Sequence, residues 1–139
     1  MSRSEPGSRP CLPLPMPLAR ASQIALIVMR KMVRHGLHDS SVVMLAMAQF
    51  GPDFRKPLVL MRALVVELAE ASQRRIAIAP CCALGMTRDE GLLLDLVQGA
   101  GLAPYAALTD DAGDTAPLAT AEALGAELEA LALARGWRT

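Results

Sequence analysis

Apolar residues recur at three- and four-residue spacing through every long segment of this chain, and glycine or proline closes each segment. That combination predicts helices joined by tight turns. In residues 18–35, Ile24, Val28, Met32 and His35 share one face, with Ile27 and Met29 beside it, and Gly36 supplies the stop. Arg20, Arg30, Lys31 and Arg34 fall elsewhere, where a solvated helix face is the ordinary meaning of charge. A second helix runs to about residue 49, capped by Asp39 or Ser40 and stopped by Gly51. Its residues 42–48 are apolar on all sides, which predicts a central helix sandwiched between others.

A third helix is expected from residue 52 or 53 to about 73, with Pro57 tolerated in its first turn. Phe54, Leu58, Met61, Leu64, Val65, Leu68 and Ser72 form its main stripe, and Glu70 is spaced to pair with Arg74. Val59, Leu60, Ala63 and Val66 lie off that stripe and call for a neighbour, in this chain or in another. Ile76 and Ile78 then alternate with alanine before Pro80, as in an extended connector. Thr87-Arg88-Asp89-Glu90 is a capping box that opens a helix to about residue 98, with Leu92, Leu93, Leu96 and Val97 inward. A short helical turn at 104–108, a polar loop at 109–115 and a last helix at 116–135 complete the chain. Leu118, Ala121, Leu124, Leu128 and Leu131 mark the buried stripe of that last helix.

Aromatic residues are only 3% of the chain against 53% apolar, so leucine, methionine, alanine and the β-branched aliphatics must build the core. Ala, Leu and Met are strong helix formers, which agrees with the periodicity. The fold class expected is all-α: a compact bundle of five to six helices with one short extended connector, formed by residues 18–139 as a single domain. Residues 1–17 are expected to form a disordered Pro-rich arm. Pro13, Pro15 and Pro17 forbid a helix there, and Leu12, Leu14, Met16 and Leu18 alternate with them. Such a segment reads as a solvated arm, although it could also lie along an apolar groove.

The net charge is zero but unevenly placed: residues 1–75 carry 11 basic and 5 acidic residues, and residues 76–139 carry 3 and 9. The simplest consequence is attraction between the two halves. No stretch approaches the length of a membrane span, three cysteines do not make a disulfide scaffold, and a cytoplasmic location is expected.

The residues with chemical potential are few. Cys81 and Cys82 stand side by side in the connector, candidates for thiol exchange or metal binding. If Pro80 opened a single helical turn, its free amides would face the sulfurs and raise their reactivity. Two small buried side chains are the plainer reading. His35 and His38 would complete a zinc set with Cys81 and Cys82, but adjacent cysteines have the wrong spacing for one ion. Arg30, Lys31 and Arg34 could bind an anion. The apolar second helix lacks base-reading side chains and argues against nucleic acid. Glu67 and Glu70 are three apart but lack the histidine partner of a di-metal site, no serine triad or phosphate loop is evident, and no cofactor is expected.

Four stretches together resemble a family of small uncharacterised helical proteins from alphaproteobacteria: Arg30-Lys-Met-Val-Arg-His-Gly-Leu-His-Asp39, Arg55-Lys-Pro-Leu-Val-Leu-Met-Arg62, Ile78-Ala-Pro-Cys-Cys82 and Met86-Thr-Arg-Asp-Glu90. The resemblance spans about residues 18–100 and brings no activity with it; it implies a bacterial, helical protein. The 12 arginines against 2 lysines suit a GC-rich genome. The function expected is therefore interaction: an adaptor or accessory subunit binding another protein or itself as a homodimer. The alternatives are a thiol redox sensor or metal carrier at Cys81-Cys82, and an anion or nucleic-acid binder on the basic half.

Overall fold

The structure is a computed structural model that describes residues 12–80, 82–110 and 114–137. Among them it contains six α-helices: α1 (Arg20–His35), α2 (Ser40–Phe50), α3 (Arg55–Ala71), α4 (Arg88–Val97), α5 (Leu102–Thr109) and α6 (Ala116–Arg135). A 3-10 turn at Gly51–Asp53 bends the chain between α2 and α3. The all-α bundle with one extended connector is thus the fold.

Each helix begins and ends where local chemistry directs. Asp39 caps α2 by accepting from Ser41 N, and Thr87 caps α4 in a complete capping box with Glu90. Gly36 and Gly51 close α1 and α2 with positive φ, a backbone region that only glycine enters freely. The buried stripes are those the periodicity predicts: Leu58, Met61, Leu64 and Leu68 on α3, and Ala121, Leu124, Leu128 and Leu131 on α6. These two helices pack along their lengths, with Tyr105 and Leu108 of α5 buried in the same core.

The central helix is α1, not α2. Ala25, Leu26, Val28, Met29 and Met32 of α1 are all buried, and α1 touches α2, α3, α4 and α6. Helix α2 buries only Val42, Ala46 and Phe50 and leaves Met44 and Met47 in solvent. An all-apolar helix was expected to be sandwiched; here it lies at the periphery with one face open.

Of the arm expected at residues 1–17, residues 1–11 lie outside the described residues; residues 12–17 run extended along the helices, with Leu14 and Met16 packed and Pro13 and Pro15 exposed. Leu14–Pro15 (β1) pairs antiparallel with Gly85–Met86 (β2), in the register Leu14 to Met86 and Pro15 to Gly85. Leu14 and Met16 pack on a second apolar cluster of Leu26, Met86 and Leu94, apart from the main core. The mate of this short strand is the arm, which sequence periodicity had no means of showing.

Among the described residues, the three ion pairs all join a cation of the first half to an anion of the second: Arg30–Glu90, Arg74–Asp89 and Lys56–Glu127. The charge asymmetry is in that measure internal. Arg74 lies beyond the C-terminus of α3, which ends at Ala71, so it is not a helical turn on from Glu70 and bonds Asp89 instead.

Close packing of α4 on α6 depends on Gly125, where a Cβ would overlap the Val97 carbonyl oxygen. Alanine in place of a free helix glycine stabilises by about 1 kcal/mol. Here overpacking reverses the sign, and Gly125→Ala is expected to lose about 1–3 kcal/mol in urea denaturation. A stabilised variant would show that the two helices have room to spare.

Candidate functional site

The connector between α3 and α4 must satisfy its backbone polar groups without a sheet, and side chains take the place of a neighbouring strand. Ala77 N donates to Asp89 Oδ2 at 2.7 Å, and Ala79 N donates to Glu90 Oε2 at 3.1 Å. Thr87 Oγ1 donates to the Ala77 carbonyl at 2.7 Å. Gln73 N donates to the Thr109 carbonyl, tying the start of the connector to α5. Thr87, Asp89 and Glu90, the cap and first turn of α4, therefore act as its edge.

Arg30 completes the arrangement from the other side. Its side chain is fully buried, as is that of Glu90, and the two form a bidentate pair at 2.8 Å through Nε and Nη2. The same guanidinium donates from Nη1 to the Ala83 carbonyl at 3.2 Å and from Nη2 to the Gly85 carbonyl at 2.6 Å. Glu90 accepts in addition from Thr87 N at 2.9 Å. Each carboxylate oxygen thus accepts one bond from Arg30 and one from the backbone. Burying two charges is expensive, and only such full satisfaction makes the pair tolerable.

A parallel but more exposed clamp lies beside it. Arg74 grips Asp89 through both terminal nitrogens and donates to the Ala107 carbonyl. These bonds from Arg74, helped by the Ala77 amide, hold the Asp89 carboxyl below the usual carboxylate range against the opposing effect of burial. The same bond to Asp89 raises the Arg74 guanidinium.

The two clamps present a loop. The Ala83 amide donates to the Pro80 carbonyl, and Cys82 is exposed with Leu84 93% exposed beyond it. Cys81 lies outside the described residues. Beside the loop, Val33, Arg34, His35, Ile78 and Pro80 border an open cleft of about 430 Å³ whose floor includes Arg30.

The sequence-predicted residues are distributed as follows. Arg30 is interior and fully engaged, so it does not share a solvated face with Lys31 and Arg34. His35 is exposed at the rim of the cleft, and His38 is exposed in the turn after α1. Among the described residues, no three of His, Cys, Asp and Glu gather as a metal set.

Glu90 was visible in the sequence only as a helix cap, and Asp89 as an acidic first-turn residue. The available signal for Arg30 was its spacing: Ser22, Leu26 and Arg30 are each four apart and all buried, a second inward row on α1. The pairing itself joins residues sixty positions apart and left no local trace.

The comparisons add a family. The chain belongs to DUF6628, a family of unknown function, whose model matches residues 2–139. No curated protein and no solved structure matches it.

Removing one partner of the buried pair strands the other charge, so Arg30→Met or Glu90→Leu is expected to cost about 3–5 kcal/mol. The double variant Arg30→Met with Glu90→Leu should cost less than the sum, measured as a coupling in denaturant titrations; strict additivity would mean that the pair is not coupled. Acid supplies a second test. Because the folded-state value of Asp89 is lowered, its contribution is present above its unfolded value near 4 and is lost as pH falls through the folded value. Asp89→Asn should therefore flatten the fall in melting temperature below about pH 4, whereas an unchanged acid slope would remove Asp89 from that account.

Proposed function

We propose that this protein is a small helical interaction module, an adaptor or accessory subunit without catalytic activity of its own, that docks through the outer faces of α2 and α3. The observation that carries the reading is apolar exposure on these two packed helices. Met44 is 68% and Met47 50% exposed on α2, and Val59 is 57% and Val66 37% exposed on α3. Of the four off-stripe positions for which the sequence calls for a neighbour, this chain partly covers Leu60 and Ala63 and leaves Val59 and Val66 in solvent. Methionine suits such a surface because its unbranched, polarisable side chain adapts to a partner's contour. The occupant is another protein or a second copy of this chain. The proposal places it in the bacterial cytoplasm, on the resemblance carried by its four motifs. No described helix is long and apolar enough to cross a membrane.

Purified chain is expected to self-associate, or to retain a stoichiometric partner, in light scattering. Met44→Lys with Val59→Lys should release a partner held on this face, or take apart copies joined through it, and shift stability by no more than about 0.5 kcal/mol, as surface changes do. A monomer that holds no partner at any concentration would remove the main support for this reading.

A second reading rests on the exposure of Cys82. A clamped backbone that presents a thiol at a turn suits thiol exchange, with Cys81 as the neighbouring sulfur. Thiol titration of the native protein should find Cys82 reacting without denaturant, and that reaction should be lost in Cys82→Ser. A native protein inert to the reagent would end this reading.

A further inference from the structure

The segment at residues 12–18 is held differently from the rest of the fold. Its pairing with β2 is two residues long, and Pro13, Pro15 and Pro17 have no N–H to extend it. Among the described residues, the hinge that leads into α1 is fastened by one side-chain bond, from Gln23 Nε2 to the Pro17 carbonyl at 2.8 Å. Leu18, within that hinge, is 92% exposed.

The groove that receives the segment is, by contrast, closely shaped. Leu26, Met86 and Leu94 form its buried floor, separate from the main core and covered by Leu14 and Met16. Two glycines leave room for the segment. A Cβ on Gly91 would overlap Leu14 Cδ1, and one on Gly85 would stand 2.7 Å from the Leu14 carbonyl oxygen. Beside the seated segment an open, largely apolar cavity of about 470 Å³ continues past Leu18, Leu92 and Gln98.

We propose that this groove and segment 12–18 are an exchangeable pair, through which two copies of the chain associate by each lodging its segment in the other's groove. The specificity is already present in the fold, because every copy carries the one extended leucine–proline sequence that the glycine-flanked groove accepts. Exchange preserves the contacts of Leu14 and Met16, and only the hinge at 17–19 changes conformation. This association uses α1, α4 and β2 and is independent of the α2–α3 face.

The test uses two complementary variants of the full chain. Leu14→Asp disables the segment and leaves the groove; Gly91→Leu fills the groove and leaves the segment. Wild-type protein is expected to show twice the chain mass in sedimentation equilibrium, and each variant alone the single mass. The two variants, unfolded and refolded together, should recover a one-to-one complex, since one good groove then meets one good segment. Excess synthetic peptide of residues 12–18 should halve the wild-type mass, a readout that does not depend on the variants folding. Met44→Lys with Val59→Lys should leave the exchanged dimer intact. A wild-type monomer to which the peptide does not bind, or a dimer abolished by the α2–α3 changes and unaffected by the peptide, would overturn the proposal.

Discussion

The buried pair of Arg30 and Glu90 is the interaction on which the rest of the arrangement depends. A helical bundle of this size could hold its main core with aliphatic side chains alone. What aliphatic packing cannot do is fix a long non-helical connector across the bundle. The connector's amides and carbonyls need partners, and the interior offers few. One guanidinium on the central helix and one carboxylate at the start of α4 supply partners for the amides of Ala79 and Thr87 and the carbonyls of Ala83 and Gly85. Glu90 closes the capping box, accepts from the connector at Ala79 and neutralises Arg30, while Arg30 holds the carbonyls of Ala83 and Gly85. Removing either charge would therefore release three things together: a helix start, a loop and a strand edge.

That strand edge connects the clamp to the arm. Gly85 gives its carbonyl to Arg30 and its backbone to the pairing with Pro15, so the position of β2 is set from the interior and read by the segment at the surface. The loop carrying Cys82 is fixed by the same carbonyl contacts, which makes its exposure a property of the fold rather than of a loose tether. Candidate functions on this side of the molecule, thiol chemistry and segment exchange, both stand on one buried ion pair. The α2–α3 face stands on different ground, since it follows from helices whose apolar residues outnumber the places available inside.

Much of the architecture was legible because it is periodic. The stripes of α3 and α6, the stops at Gly36 and Gly51 and the capping box at Thr87 are local patterns with local causes. Where the reading departed from the structure, the deciding cause was long-range. Residues 42–48 look central because they are apolar all round, but position in a bundle depends on what the other helices leave uncovered. Arg30 looks solvated because charge usually is, yet its partner lies sixty residues away. Leu14 and Met16 look like arm residues because proline separates them, and only Gly85 and Gly91 show that a groove awaits them. The thiol pair stood out from the start; the residues that hold its loop did not.

Native-state hydrogen exchange at the amides of Ala79 and Thr87 tests the clamp most directly, since both donate to Glu90. If the pair organises the connector, these two amides exchange only with global unfolding, as slowly as the interior of α4. Exchange at the rate of the exposed Cys82 loop, with α4 still protected, would show that the connector opens by itself and that the buried pair does not hold it.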